Sequence, residues 1–190
     1  MEKIKIILVV IIAVVGALLI YDKFTEKKEN IKIEYKNINS EYTLVEKNNI
    51  FKYKNIDDVI KTIQSGSGVI FICSPESDSC QQYAESLDKA SKEANLDQII
   101  YCNIKSDRNS NSIKYQKLVS ILNDYLSVDD LDNKIIYMPE VLFINNGKII
   151  DHDNTNTLND ENGLTTRLYN KMLAINNVEE AAIQWIGNNI

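Results

Sequence analysis

The residues of this chain best suited to covalent chemistry are three cysteines, Cys73, Cys80 and Cys102. A thiol attacks as its thiolate, which is favoured where backbone amides and a helix dipole meet it. Cys80 heads a segment of helical periodicity, directly after the loop Cys73-Ser74-Pro75-Glu76-Ser77-Asp78-Ser79, and so occupies a position of that kind. Three cysteines are too few for a disulfide-stapled scaffold, and they lack the repeated close spacing of a structural zinc site. An odd count also leaves at least one thiol unpaired within a monomer.

Other chemistry-bearing residues are sparser. The single histidine, His152, lies in Asp151-His152-Asp153, and no second histidine completes a ligand set. It reads as part of a solvated loop. Asp129-Asp130-Leu131-Asp132 lacks the glycine and distal glutamate of an EF-hand calcium loop and reads as a polar turn. There is no Gly-rich phosphate loop, Ser-His-Asp arrangement or carboxylate dyad. Neither a metal nor a cofactor is expected. With 21 basic against 27 acidic residues the formal charge is −6, and no basic patch interleaves with aromatics, which argues against nucleic acid as a partner.

Hydrophobic periodicity gives the elements that must position the cysteines. Ile50 to Lys54 reads as a short strand and Asp57 to Gln64 as a helix with Val59, Ile60 and Ile63 inward. After Ser65-Gly66-Ser67-Gly68, the uninterrupted run Val69-Ile70-Phe71-Ile72 suits a strand buried on both faces. Cys80 to Ala94 carries Tyr83, Ala84, Leu87, Ala90 and Ala94 at helical spacing. Ile99 to Ile104 is a second buried strand, and Lys105 to Ser112 reads as a polar loop before an amphipathic segment with Leu118, Ile121, Leu122 and Tyr125. Val141 to Ile144, Asn146-Gly147 and Lys148 to Asp151 form a hairpin signal. Leu164 to Asn188 reads as helical, with Leu164, Leu168, Met172 and Trp185 inward. Alternation ending in a hairpin predicts an α/β domain, a central mixed β-sheet flanked by helices.

The amino terminus has another character. Ile6 to Tyr21 is a run of 16 residues without a charge, framed by Lys3 and Lys5 on one side and Asp22 and Lys23 on the other. As a helix it would reach about 24 Å, short of a typical ~30 Å hydrocarbon core, but flanking lysines can snorkel. Val15-Gly16-Ala17 offers a weak cleavage site, yet the apolar run continues through Leu18, Leu19 and Ile20, and the segment has no polar face for a core helix. Residues 1–21 are therefore expected to form an uncleaved single-pass anchor in membrane lipid, 22–49 an extracytoplasmic stalk with possible short strands, and 50–190 the folded domain.

The chain has two prolines, Pro75 before the Cys80 helix and Pro139 before the hairpin. A strand, a proline-containing loop and a cysteine at a helix start, followed by Pro139-Glu140-Val141-Leu142-Phe143-Ile144-Asn145-Asn146-Gly147-Lys148, resemble the thioredoxin superfamily. From Phe71 to Lys148 the sequence is similar to its membrane-anchored bacteriocin transport accessory type, with a longer segment around Ser127 to Lys134. The resemblance implies a thioredoxin-like fold, a cis bond at Pro139, and Met138 as the residue whose backbone pairs with a bound peptide. It places the second cysteine of the family's Cys-x-x-Cys on Cys80 and the first on Ser77. A serine forms no disulfide, so the standard cycle through Ser77 and Cys80 is chemically excluded.

Two substitutes for the lost thiol stay open. Cys73 could pair with Cys80, or Cys102 could approach Cys80 from the neighbouring strand; each needs Cα atoms within about 7 Å. Otherwise Cys73 and Cys102 are small core residues. The expected function is a membrane-tethered thioredoxin-like protein that binds or handles extended polypeptides at the cell envelope, with dithiol activity impaired or absent. The alternatives are a thiol-disulfide oxidoreductase using Cys73 and Cys80, and a structural accessory subunit of a transport or secretion assembly.

Overall fold

The computed structural model describes residues 38–154 and 163–175. A five-stranded mixed sheet forms the centre, in the spatial order β1 (Phe51–Tyr53), β3 (Ile99–Cys102), β2 (Gly68–Ile72), β4 (Glu140–Asn145), β5 (Lys148–Asp153). The first three strands in that order run parallel, β4 runs antiparallel to β2, and β5 antiparallel to β4. Helices α1 (Ile56–Ser65), α2 (Asp78–Glu93), α3 (Lys105–Asn109), α4 (Ile113–Ile121) and α5 (residues 163–175) complete the described domain. The expected mixed sheet flanked by helices is thus what the chain forms.

Local chemistry explains the junctions. Asn55 caps α1 by accepting from the Asp58 amide at 3.0 Å, and Asp57 and Asp58 complement the dipole in its first turn. Asn146 and Gly147 both have positive φ, 48° and 73°, the conformation of a two-residue hairpin turn between β4 and β5. Gly147 is required twice over, because a Cβ there would stand 2.5 Å from the Gln64 carbonyl oxygen.

Strand alternation divides the core. On one face Val69, Phe71, Cys73, Tyr101, Val141 and Phe143 pack with Tyr83 and Leu87 of α2 and with Leu164, Leu168 and Met172 of α5. On the other, Ile70, Ile72, Cys102, Leu142 and Ile144 pack with α1, α4 and Ile136. Helix α5 is tied to the sheet by polar contacts. Asp153 at the end of β5 accepts from Tyr83 Oη at 2.6 Å and Arg167 Nε at 2.7 Å, while Lys171 donates to Asp151 at 2.8 Å.

Several expectations are corrected. Within the segment read as stalk, residues 38–40 form a 3-10 turn, and Ile38, Tyr42 and Val45 are buried in the core, so the packed chain begins no later than Ile38. Tyr42 Oη donates to Tyr101 Oη at 3.2 Å, a contact 59 residues apart that no local pattern announces. Lys105–Asn109 is a short helix rather than loop, with no buried residue to create periodicity. His152 lies on strand β5, not in a loop. No helix among the described residues is long and apolar enough to cross a membrane. The expected anchor at 1–21, stalk residues 22–37 and Trp185 lie outside the described residues.

Candidate functional site

At the carboxyl end of β2, alternation turns the Cys73 side chain toward the face covered by α2, whose first turn carries Cys80. The two are joined as a disulfide, with Cα atoms 5.9 Å apart. Both residues are 0% exposed. The Ser74 amide donates to Cys80 Sγ at 3.4 Å, and Ser77 is the N-cap of α2, its Oγ accepting from the Cys80 amide at 3.4 Å. Ser77 therefore serves the helix end and is only half-buried.

Gln81 explains the burial. Its Nε2 donates to the carbonyls of Pro75 at 2.7 Å and Glu41 at 2.9 Å, and its Oε1 accepts from the Thr43 amide at 3.0 Å. One side chain thus clamps segment 41–43 against the cysteine loop. Further out, the Ser74 hydroxyl donates to Glu76, and Lys105 approaches the same carboxylate at 3.0 Å. These two partners, the hydroxyl first, hold the Glu76 carboxyl down at about 2. Beside it opens a polar groove of about 510 Å³ lined by Glu76, Asn103, Lys105, Ser106 and Asn109, apart from the cysteines.

Exchange requires a thiolate to reach a disulfide sulfur in line. The Cys73–Cys80 bond, buried at both ends, gives no such approach in the closed fold. Cys102 does not supply a substitute. It is free, buried and paired in register with Ile72, with its side chain on the opposite face of the sheet from Cys73. Burial pushes its thiol up to about 12, leaving it protonated and inert at neutral pH. In the native chain, Cys102 is expected to resist iodoacetamide for hours and Cys73–Cys80 to survive mild thiol buffer, with both reacting within minutes once guanidinium is added. Alkylation read by mass spectrometry checks this.

The Met138–Pro139 peptide bond is cis and leads into β4. The Ile72↔Glu140 pairing places Pro139 beside Cys73 in the continuing register, one residue beyond the last paired position on each strand. Pro139 is buried and Met138 half-buried, packed against both core clusters. The strand ladder begins only at Glu140, and among the described residues the main chain of Met138 makes no hydrogen bond. A free donor and acceptor therefore lie at the end of the sheet that carries the cysteine loop.

The pairing of Glu140 with His152 was not anticipated. Glu140 is fully buried, with Oε1 at 3.0 Å from His152 Nδ1 and Oε2 without a hydrogen-bond partner. Burial pushes its carboxyl up to about 8. The ring of Tyr125 meets His152 edge-on, with centroids 5.5 Å apart. Among the described residues no three of histidine, cysteine, aspartate and glutamate converge as a metal set. The sequence carried one usable signal for Glu140, its position directly after the proline and one residue before the apolar run Val141 to Ile144.

Comparison of the chain with protein-family models and with curated proteins finds no match.

Proposed function

We propose that this chain is a membrane-tethered, extracytoplasmic thioredoxin-like protein that holds extended polypeptide at the Met138–Pro139 edge and does not run a dithiol cycle. The observation that carries this reading is the open main chain of Met138 beside a disulfide whose two residues are fully buried. An extended segment can add to such an edge through backbone hydrogen bonds, which need no thiol. The sheet order with its terminal hairpin, Ser77-Asp78-Ser79-Cys80 at a helix start and the cis-proline motif support a thioredoxin-like fold. The apolar run from Ile6 to Tyr21 supports the tether, and the similarity to bacteriocin transport accessory proteins supports a client exported across, or acting at, the cell envelope. The Cys73–Cys80 bond acts as a brace that fixes the loop preceding α2.

The test is binding of a fluorescent, fully carboxymethylated unfolded polypeptide, which cannot exchange disulfides, to the full chain in detergent. Met138→Asp places a charge at the edge and is expected to weaken binding at least tenfold with the fold retained by circular dichroism. Unchanged affinity would refute the edge as the site. A second reading, a thiol-disulfide oxidoreductase, is favoured by the Cys73–Cys80 bond itself. It requires reversible opening by a thiol buffer in the folded chain and turnover lost on Cys73→Ser, neither of which a buried brace would give.

A further inference from the structure

Residues 38–45 pack on the α2 face of the sheet without joining it. Ile38, Tyr42 and Val45 belong to the same buried cluster as Cys73, Cys80 and Tyr83, yet the segment contributes no strand. The Tyr42 ring meets Phe71, the same-face neighbour of Cys73 along β2, and Tyr101, with centroids 6.1 and 5.4 Å apart. Side chains fasten the segment. Gln81, next to Cys80 in sequence, accepts from the Thr43 amide and donates to the Glu41 carbonyl. The same Nε2 donates to the Pro75 carbonyl, so one group ties the segment to the loop that carries the disulfide. Tyr53 Oη donates to Glu41 at 2.6 Å, and Lys92 to Glu46 at 3.1 Å. A segment held in this way, rather than by a strand ladder, opens locally at less cost than unfolding the domain.

We infer that residues 38–45 are an autoinhibitory strap over the Cys73–Cys80 bond. With Gln81 engaged the strap shuts the bond off from external thiols, and when it lifts a dithiol can reduce the bond while the sheet stays folded. The bond is idle in the closed fold because it is covered, not because its chemistry is unfavourable. The Ser74 amide donates to Cys80 Sγ at 3.4 Å, in the first turn of the 16-residue α2, so negative charge is better held on Cys80 than on Cys73. A thiolate of the dithiol therefore attacks Cys73 Sγ, the Cys73–Cys80 bond breaks, and its electron pair leaves on Cys80 Sγ. The second thiol of the reagent then attacks the reagent's own sulfur in the mixed disulfide and releases Cys73 as a thiolate. The dithiol is oxidised to its cyclic disulfide, both cysteines are reduced, and the protons pass between the thiols and water.

The probe is dithiothreitol, applied to the full chain in detergent, with the released thiols trapped by iodoacetamide and counted by intact mass. Global unfolding is timed in parallel by circular dichroism. The native bond should be reduced slowly, but faster than the domain unfolds. Gln81→Ala removes the clamp from a half-buried position and should speed reduction at least tenfold, with global unfolding less than threefold faster. Lys89→Ala, at an exposed position on the same helix, should leave the rate within twofold of native. With glutathione, a monothiol, the trapped adduct should map to Cys73; an adduct on Cys80 would overturn the direction of attack. Native reduction at the rate of global unfolding, or a rate unchanged by Gln81→Ala, would overturn the strap. A gain on Gln81→Ala matched by an equal gain in unfolding rate would overturn it as well. None of these outcomes bears on Met138, which the binding of carboxymethylated polypeptide reads separately.

Discussion

Replacing Asp153 with alanine is expected to destabilise the domain by about 3 kcal/mol, lowering its melting temperature by roughly 6–12 °C. Asp153 is almost fully buried at the end of β5 and joins three elements at once. Its Oδ1 accepts from Tyr83 Oη of α2 at 2.6 Å and from Arg167 of α5 at 3.1 Å, while Oδ2 accepts from Arg167 Nε at 2.7 Å. Truncation leaves the phenol and the guanidinium facing an empty site. The Arg167 side chain is one-third exposed and can regain some water, which sets the cost at the lower end of the range for breaking a buried pair. Asp153→Asn, which keeps an acceptor of the same shape, should lose less than half as much. The measurement is chemical denaturation of the three proteins side by side. A loss below 1 kcal/mol for the alanine variant would mean that α5 is held by its apolar packing and the Lys171 contacts without Asp153.

Stability should also fall as pH rises from about 4.5 to about 8, and Glu140→Gln should remove most of that slope. The folded Glu140 carboxyl is pushed by burial to about 8 from an ordinary 4.5. Between these values the folded state binds a proton that the unfolded state has released, so its contribution is fully present below 4.5 and lost through 8. The steepest part amounts to about 1.4 kcal/mol per pH unit, on the order of 4 kcal/mol across the window. A protonated carboxyl can hydrogen-bond His152 Nδ1, 3.0 Å away, without a buried charge, whereas an ionised one leaves a buried charge with Oε2 unpartnered. The glutamine keeps the shape without the titration, and the variant should be the more stable protein at pH 8. Denaturation midpoints at half-unit intervals from pH 4.5 to 8.5 check the sign. Parallel profiles for the native and Gln forms would show that Glu140 is ionised throughout.

Much of the scaffold is legible in the chain because it is locally determined. Val69 to Ile72 is apolar without interruption since β2 is central and covered on both faces, and Asn146-Gly147 announces its turn because few other residue pairs take positive φ together. The site is less legible because its decisive features are contacts between distant residues. Cys73 follows the same alternation as Phe71 and so had to face α2, but pairing with Cys80 depends on how close that helix start comes. Tyr42 reads as stalk because its partners, Tyr101 and the core around Phe71, come from strands far along the chain. Glu140 drew no reading of its own in the sequence, and its burial follows from its place between β2 and β5. Gln81 carries no motif at all, yet it closes segment 41–43 over the cysteine loop.

The chain has three methionines, Met1, Met138 and Met172. That makes methyl NMR of the full chain, labelled with ¹³C at the methionine methyls and titrated with the carboxymethylated polypeptide, the most direct test of where polypeptide binds. Met172, on α5, is fully buried and serves as the internal control. Polypeptide taken up at the open edge should shift or broaden the Met138 signal at substoichiometric ratios while leaving Met172 in place. A Met138 methyl that stays unmoved while anisotropy reports saturated binding would contradict the edge as the binding site.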